Sequence, residues 1–350
     1  MTIVCCFNMK QLHLVTMEKK IKFLVLTDHS KHSSENSIYA LMSKLSQHPN
    51  CERVDIASRG NSLNDSFFVE QETEKLYAIS IDKLFTFDST QKQFSENGRV
   101  VAVRDYDVII LRLPRPVDTD FMGFIAYLGE HKIIINHPYG IENTSTKAFL
   151  LNFPALCPPM KMCNTVEDII AFSTNFPIVL KPLKEYGGKG ILKINGAVLN
   201  DGQMDYNAID YLQKQKAYII QEGYLAMKFL KNVAQGDKRI LVVNGQILAS
   251  SLRIPAENSW LCNVAQGGRS ILAEVTEEEK YIIQTISPKL LEEGILIYGA
   301  DTLVDDDGKR VLSEINTLSI GGFPQAEAQT GLPILQQTVD GIMSYCTAQM

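Results

Sequence analysis

The chain has 350 residues, too many for one ordinary hydrophobic core and enough for two or three domains. Its hydrophobic fraction is 45% and its net charge is −6, so the composition is that of a globular protein without a basic field to favour nucleic acid. No apolar run approaches the roughly 18 residues that a membrane helix requires. The seven cysteines are scattered without a CxxC pair, which disfavours a zinc site or a disulfide framework and favours reduced thiols in a cytoplasmic protein.

The first 20 residues are predicted to form a flexible N-terminal extension. A signal peptide requires a basic segment before an uninterrupted apolar segment. In this chain polar residues interrupt the apolar positions, and the basic pair Lys19-Lys20 follows them. Met17 stands just before that pair and before a clean strand, so residues 1–16 are either a dispensable extension or an over-assigned start.

Residues 21–140 alternate short apolar strands with amphipathic helices, and this alternation favours a parallel α/β sheet. Residues 58–100 are polar with scattered aromatic side chains, and not every element can be placed there. The predicted elements are strands at 21–28, 53–57, 107–113 and 132–136, and helices at 36–47 and from Asp118 or Thr119 to about 130.

Lys181 lies within an apolar strand predicted over 176–183. A lysine there is costly unless its ammonium reaches an anion or snorkels to water at a sheet edge. The glycine-rich loop 184–190 follows, and the N–H groups of such flexible backbone can cover phosphates, although most glycine loops between strands are ordinary hairpins. The other elements predicted here are a short helix over 144–151 that carries Lys147, and strands at 191–194 and 217–224.

A hairpin is predicted over 236–255, because Asn244-Gly245 is a strong signal for a two-residue turn. This register places a residue near 250 opposite Arg239, and it places Arg253 near the far end of its strand. Two interpretations of the arginines remain open: solvated charge, or a planar clamp on carboxylate or phosphate. The remaining predicted elements are a loop over 263–270, a helix from Thr276 to about 293 that ends before Gly294, and a helix near 332–346.

A second hairpin is predicted between Tyr298 and Gly322, with Asp307-Gly308 as a two-residue turn. This turn would pair Asp306 with Lys309 and would set Asp301 directly opposite Glu314, with Asn316 on the same face. Facing carboxylates repel, and two carboxylates with an amide oxygen suit Mg²⁺. The alternative is a solvated, acidic end of a hairpin.

The chain resembles a known family through six segments that keep its order and spacing: VLKPLKEYGGKGI, QGDKRILVVNGQIL, LRIP, NVAQGG, YGADTLV and LSEIN. They are similar to the ATP-grasp ligases, most of all to the bacterial-type glutathione synthetases. DVIILRLPRPVDTDF and IINHPYGIENTSTKAFLL extend the similarity toward the N-terminus, so it covers roughly residues 21–340. The resemblance implies an α/β fold with a Rossmann-like N-terminal domain (21–140), a central ATP-grasp lid domain (141–224) and a C-terminal ATP-grasp domain with the metal site (225–350).

The resemblance also implies roles for individual residues. Lys147 and Lys181 would contact the phosphates of ATP, Lys181 and Arg253 would act in catalysis, and Arg253 would steady an acyl phosphate. The other implied sites are a phosphate-covering loop of Gly187, Gly188 and Gly190; an adenine pocket of Gln221, Glu222, Gly223, Tyr224 and Leu225; a ribose contact at Asp237; Mg²⁺ or Mn²⁺ at Asp301, Glu314 and Asn316; and substrate contacts at Arg112, Arg239, Asn263 and Ser319.

The family pattern fails at three places, all on the expected acceptor side. Leu261-Cys262 replaces an arginine-glycine pair, Leu113-Pro114 replaces a lysine-aspartate pair, and Thr317 to Gly322 replaces a Val-Thr-Ser-Pro-Thr-like run. ATP-dependent ligation of a carboxylate and an amine through an acyl phosphate is therefore better supported than the identity of the two substrates.

Three hypotheses follow for the function. The first is a glutathione synthetase that joins γ-glutamylcysteine, an acidic thiol dipeptide, to glycine; the second is a related ligase with other substrates; the third is a non-catalytic nucleotide-binding protein. The retained lysines and metal set count against the third. Asp301→Asn and Glu314→Gln are expected to remove turnover and leave the fold intact. The resemblance further implies a homo-oligomer, commonly a tetramer, that acts on small molecules without nucleic acid or membrane.

Overall fold

The computed structural model describes residues 19–185, 187–255, 260 and 269–350. Most of the predicted N-terminal extension, Asn263 and the Leu261-Cys262 departure lie outside these residues. Three sheets follow one another along the described chain, and each contributes one wall to the region described below. None of the helices in the described part of the chain is long and apolar enough to cross a membrane.

The first sheet has the strand order β4-β3-β2-β1-β5-β6, in which β2, β1, β5 and β6 run parallel and β3 and β4 are antiparallel additions at one edge. Its strands are β1 (Ile21–Thr27), β2 (Cys51–Ser58), β3 (Lys75–Ile81), β4 (Arg99–Ala102), β5 (Val108–Arg112) and β6 (Ile133–Ile135). Its helices are α1 (Ser37–Ser46), α2 (Asp65–Phe68), α3 (Gln93–Glu96), α4 (Thr119–Leu128) and α5 (Pro138–Thr144). The predicted α/β alternation is confirmed, and Asp118 rather than Thr119 caps α4.

The connections from β1 to β2 and from β5 to β6 leave in opposite directions across the first sheet. The order of strands therefore reverses between β1 and β5, and ligands of open α/β sheets bind in the crevice at the carboxyl ends of such strands. Arg112 ends β5 at this edge.

The second sheet is antiparallel throughout, with the order β11-β10-β9-β8-β12-β7. Its strands are β7 (Met160–Cys163), β8 (Ile178–Pro182), β9 (Leu192–Asn195), β10 (Val198–Asn200), β11 (Asp205–Asn207) and β12 (Tyr224–Lys228). Its helices are α6 (Val166–Ser173), α7 (Ala208–Lys214) and α8 (Lys216–Gln221), and 3-10 turns at Lys147–Asn152 and Pro154–Leu156 precede the sheet.

The strand predicted over 217–224 is wrong. The chain forms helix α8 there, and strand β12 begins only at Tyr224. Ile219 is buried between the more exposed Tyr218 and Ile220, a pattern that a half-buried strand also shows, so a short apolar run does not distinguish the two structures.

The third sheet is also antiparallel, with the order β15-β14-β13-β16-β17. Its strands are β13 (Asp237–Val243), β14 (Gln246–Ile254), β15 (Arg269–Leu272), β16 (Ile297–Val304) and β17 (Arg310–Asn316). Its helices are α9 (Glu277–Glu292), α10 (Phe323–Thr330) and α11 (Ile334–Gln349). The side chain of Thr276 accepts a hydrogen bond from the backbone N–H of Glu279, and the side chain of Glu279 accepts one from the backbone N–H of Thr276. This capping box defines the residue at which α9 begins.

The two hairpins of the third sheet differ in how well their turns were predicted. Asn244 and Gly245 both have positive φ and join Val243 to Gln246, so the predicted two-residue turn is confirmed. The second turn is longer, since Val304 pairs with Arg310, and the predicted pair between Asp306 and Lys309 is wrong.

The Asp305 carboxylate explains the longer turn, because it accepts hydrogen bonds from the backbone N–H groups of Asp307 (3.0 Å) and Lys309 (2.8 Å). A bulge between Asp301 and Thr302 leaves Ser313 unpaired and restores the register. Asp301 therefore lies directly opposite Glu314, as predicted.

The hydrophobic cores divide the described chain into two parts. Buried side chains of the first and third sheets share two clusters, whereas the second sheet contributes most of its buried side chains to a cluster of its own. The second sheet is thus a separate lobe that faces the other two across the cavities described next.

Candidate functional site

A cavity of about 620 Å³ opens where the carboxyl edge of the first sheet meets the third sheet. Its walls come from the loop after β5, from residues 145–147, from the facing strands of the third sheet, and from α10. The lining includes Arg115, Ser145, Lys147, Glu185, Gly187, Arg239, Arg253, Asp301, Glu314, Asn316, Ser319 and Gln325.

Asp301 is the centre of a buried ion-pair network in this cavity. Arg239 binds it through two parallel hydrogen bonds, Nε to Oδ1 at 2.7 Å and Nη2 to Oδ2 at 2.6 Å, and Arg253 Nη2 reaches Oδ2 at 2.8 Å. The strand register produces these contacts, since Arg239 pairs with Asp301 across β13 and β16, and Asp237 pairs with Arg253 across β13 and β14.

Burial and the arginines act in opposite directions on the pKa of Asp301. Burial alone would raise this pKa, but the positive charges of Arg239 and Arg253 outweigh it and hold the pKa well below its ordinary value. The neighbouring Asp237 responds differently, because burial and the charge of Asp301 raise its pKa despite its contact with Arg253. The arginines therefore form a clamp on carboxylates, and the alternative of solvated charge is wrong.

Two buried lysines approach β17 from the second-sheet side. Lys147 Nζ lies 3.0 Å from Glu314 Oε1 and 2.9 Å from the carbonyl oxygen of Glu185. Lys181 Nζ donates to the carbonyl oxygen of Ser313 at 2.8 Å, and burial lowers its pKa. Because β8 lies between β9 and β12, Lys181 is not on an edge strand, and the snorkelling alternative is wrong.

A second, smaller cavity adjoins the first at Glu314, which lines both. Lys181, Asp237 and Glu314 lie close together at one end, and the other end is apolar except for Lys228. The remaining lining is Val179, Ile191, Met227, Lys228, Phe229, Leu230, Val233, Trp260, Leu303 and Ser313. A ligand with an apolar ring at one end and negative charge at the other fits this distribution.

Most of the residues predicted to form the site lie in these two cavities. Those that line one or both are Lys147, Lys181, Gly187, Asp237, Arg239, Arg253, Asp301, Glu314, Asn316 and Ser319. Gly188 and Gly190 follow Gly187 in a run of positive φ angles, which glycine adopts without steric cost.

The residues predicted to form an adenine pocket lie just before the part of the chain that lines the smaller cavity. Gln221, Glu222, Gly223, Tyr224 and Leu225 form the end of α8 and the start of β12, and they are not part of the lining of the two described cavities. The continuation of β12 and the residues after it, Met227 to Leu230, line the smaller cavity. The adenine contacts of residues 221–225 stay a prediction.

Arg112 lies behind the wall of the larger cavity, and its predicted contact with the acceptor substrate stays a prediction. It is 7% exposed, lines neither described cavity, and donates to the carbonyl oxygen of Ile320; burial lowers its pKa to about 10. Arg115 reaches the larger cavity and donates to the carbonyl oxygen (3.2 Å) and Oγ (2.7 Å) of Ser145. Arg115 was not predicted from the sequence. The signal for it was that a second arginine follows the carboxyl end of the parallel strand β5.

Comparison with known proteins identifies the family. The sequence profile "Prokaryotic glutathione synthetase, ATP-grasp domain" matches residues 146–331. The chain is 31% identical to the glutathione synthetase of Rhodopseudomonas palustris over 237 residues, which cover 67% of this chain and 71% of that protein. The chain belongs to the prokaryotic glutathione synthetase family of ATP-grasp ligases.

Solved structures show that this family member has the ATP-grasp fold. The D-cycloserine synthetase DcsG superposes with a TM-score of 0.62 at 10% identity, over 93% of this chain and 99% of that one. D-alanyl-alanine synthetase A from Vibrio cholerae O1 biovar eltor gives a TM-score of 0.56 at 16% identity, over 95% and 99% of the two chains. The predicted fold class is confirmed, and ATP is the nucleotide of this family.

The residue types around Asp301 suit magnesium, but in this arrangement Arg239, Arg253 and Asn316 Nδ2 (3.2 Å) all donate to the Asp301 carboxylate. Asp301, Glu314 and Asn316 supply hard oxygen atoms on adjacent strands, the ligand type that Mg²⁺ prefers. Within the described residues no three His, Cys, Asp or Glu side chains gather into a metal cluster. The protein would therefore supply only part of the coordination, which is the usual arrangement when phosphates and water supply the rest.

Proposed function

We propose that this ATP-grasp ligase joins the carboxylate of γ-glutamylcysteine to the amine of glycine, with release of ADP and phosphate. The observation that carries the proposal is the meeting of Lys147, Lys181 and the Arg239–Asp301–Arg253 network around Glu314, where the two cavities adjoin. These groups provide fixed positive charge beside an apolar slot and an open substrate cavity.

The distribution of charge supports one orientation of ATP. The base would occupy the apolar end of the smaller cavity, near Met227 and Phe229, and the phosphates would extend past Lys181 toward Glu314. The γ-phosphate would then reach the larger cavity, where the acid substrate is expected. Asp301, Glu314 and Asn316 would hold Mg²⁺ or Mn²⁺, which supplies charge neutralisation of the phosphates when it is bound.

The chemistry requires positioning and charge more than proton transfer. A carboxylate oxygen of the acid attacks the γ-phosphorus, and the bond to the ADP oxygen breaks. The amine then attacks the carbonyl carbon of the acyl phosphate, an amide bond forms, the amine loses a proton, and phosphate leaves. Lys147, Lys181 and Arg253 would bind the negatively charged oxygen atoms of the transferred phosphoryl group. They would thereby keep the attacking and leaving oxygen atoms in line with the phosphorus.

The position of the glycine loop supports a role in shielding the acyl phosphate from water. Gly187 lines the larger cavity next to Glu185, whose carbonyl oxygen binds Lys147. An acyl phosphate hydrolyses unless solvent is excluded, so the loop would cover the phosphates during the reaction.

A related ligase with other substrates is the second candidate, and a specific observation favours it. Pro114 and the run Thr317 to Gly322 line the larger cavity, and both belong to departures from the family pattern. The second candidate keeps the same reaction and changes the acid or the amine. We further propose a cytoplasmic homo-oligomer; the described cysteines Cys51, Cys157, Cys163 and Cys346 are free thiols, which suits a reducing compartment.

The test is phosphate release from Mg-ATP across a panel of acids and amines. Release that requires both γ-glutamylcysteine and glycine is the expected result. Release with a different pair alone would contradict the first candidate and support the second. ATP binding without release by any pair would contradict both and would favour a non-catalytic nucleotide-binding protein.

A further inference from the structure

Trp260 is the only tryptophan of the chain, and it lines the smaller cavity. Its side chain is partly buried, and its Nε1 donates a hydrogen bond to Oδ1 of Asn200 at 3.1 Å. Asn200 ends β10 in the second sheet, whereas Trp260 follows β14 in the third sheet. The indole therefore joins the two lobes beside the apolar end of the cavity.

Phe229 is the other aromatic residue in the described lining of this cavity. The two ring centroids lie 6.3 Å apart at an interplanar angle of 78°, an edge-to-face contact. Lys193 Nζ lies 3.7 Å from the centroid of the Phe229 ring, within the range of a cation–π contact. One face of Phe229 is therefore occupied, and Trp260 is the larger aromatic surface in the described lining.

The surroundings of Trp260 suit a flat, uncharged ring. Val179, Ile191 and Leu303 are apolar members of the same cavity lining, and Lys228 is the charged residue next to Phe229; Lys181 and Glu314 belong to the other end of the cavity. Stacking of a nucleic-acid base on an aromatic side chain changes affinity by roughly 5- to 150-fold when the side chain is truncated to alanine.

We propose that Trp260 forms the aromatic wall of the site for the purine base of the nucleotide, and that stacking on its indole contributes to nucleotide affinity. The inference rests on the proposed function, since it takes the smaller cavity as the base end of the ATP site. The hydrogen bond to Asn200 fixes the indole, so that the wall is already in place when the nucleotide binds.

Fluorescence provides a direct test because the chain has one tryptophan. Titration of the full-length protein with ADP is expected to give a saturable change in indole emission. The midpoint should agree with the dissociation constant of ADP measured by calorimetry on the same protein. An emission spectrum that stays unchanged at saturating ADP would overturn the proposal.

Substitution separates stacking from a structural role. Trp260→Ala should weaken ADP binding about tenfold, while kcat at saturating ATP changes less than about threefold. Trp260→Phe keeps an aromatic face and should bind ADP within about threefold of the wild type. Tyr281→Ala, which removes an exposed aromatic side chain from α9, is the matched control and should bind ADP normally.

The outcomes distinguish this proposal from the proposed function. An ADP dissociation constant of Trp260→Ala within about twofold of the wild type would overturn the role of Trp260. Equal losses in Trp260→Ala and Trp260→Phe would overturn it as well. Wild-type protein that binds ADP but releases no phosphate with any acid and amine would contradict only the proposed function, and absence of ADP binding would contradict both.

Discussion

Asp301 balances two buried arginines, and this second role changes what its substitution should do. Its carboxylate is 2% exposed and binds both Arg239 and Arg253. Removal of one partner from a buried ion pair leaves uncompensated charge and costs about 3–5 kcal/mol. The expectation from the sequence that Asp301→Asn leaves the fold intact therefore does not agree with the structure.

We expect Asp301→Asn to lose turnover and to lower the free energy of unfolding by about 3–5 kcal/mol, measured by urea denaturation. Glu314→Gln is the comparison, since the Glu314 side chain is 26% exposed and its ion pair in the described part of the chain is with Lys147. That variant should also lose turnover, at a smaller stability cost than Asp301→Asn, because its carboxylate is the more exposed of the two. Equal stability of Asp301→Asn and the wild type would contradict the structural role of Asp301.

The pH dependence of nucleotide binding should report on Lys181. Burial lowers its pKa below the ordinary lysine value of about 10.4, and the protonated form is the one that binds phosphate. As the pH rises through the lowered pKa the charge is lost, so ADP affinity should fall at a pH where an exposed lysine is still charged. Calorimetry between about pH 7 and 10 measures this fall, and Lys181→Arg, whose side chain stays protonated, should show a flatter profile. An ADP affinity of the wild type that falls at no lower pH than that of Lys181→Arg would contradict the assigned role.

The run Thr317 to Gly322 is held by the first sheet and by α5. Thr317 contacts Asn136 through its carbonyl oxygen (2.8 Å) and Thr144 through its hydroxyl (2.9 Å), and Ser319 donates to the carbonyl oxygen of Leu113 at 2.7 Å. Arg112 donates to the carbonyl oxygen of Ile320. These contacts make the run a fixed wall of the larger cavity.

Arg112→Lys should loosen this wall without affecting the nucleotide. A hydrogen bond from a charged group contributes about 1.5–3 kcal/mol, so we expect the KM of the acid or the amine to rise at least about fivefold. The ADP dissociation constant should stay within about twofold of the wild type. Arg104→Lys, on an exposed turn of the same sheet, is the control. A parallel loss of ADP affinity in Arg112→Lys would indicate general disruption instead.

The hairpin of β16 and β17 shows how far local sequence signals reach. Asp307-Gly308 identified the turn correctly, but the Asp305 carboxylate lengthened it by binding two backbone N–H groups. The bulge at Ser313 then compensated, so the facing of Asp301 and Glu314 was predicted correctly from a register that was wrong near the turn. Periodicity and turn chemistry therefore predicted the elements, whereas bulges depend on packing that the pattern does not encode.

Contacts between distant parts of the chain determine the rest of the site. Lys147 and Glu314 are 167 residues apart, and Arg112 and Ile320 are 208 residues apart. No periodicity connects such pairs, so the sequence suggested which residue types belong to the site but not whether Arg112 or Arg115 faces the cavity. Residues on regular strands of the third sheet were predicted well, because strand register alone brings Arg239, Arg253 and Asp301 together.

The three sheets bring the smaller cavity, the cationic groups and the larger cavity together at Glu314, where we propose that the nucleotide and the acid substrate meet. This arrangement supports direct attack of a carboxylate oxygen on the γ-phosphorus, since the phosphates would end where the larger cavity begins. The central claim is therefore the acyl-phosphate route and not only the consumption of ATP.

Transfer of oxygen from the acid to phosphate tests this claim most directly. γ-Glutamylcysteine, or the acid that the panel identifies, is labelled with ¹⁸O in the reacting carboxylate and incubated with Mg-ATP and the amine, and the products are analysed by mass spectrometry. The account predicts ADP and phosphate that carries one ¹⁸O atom for each amide formed, with the second labelled oxygen retained in the amide carbonyl. Unlabelled phosphate, or AMP that carries the label, would contradict it.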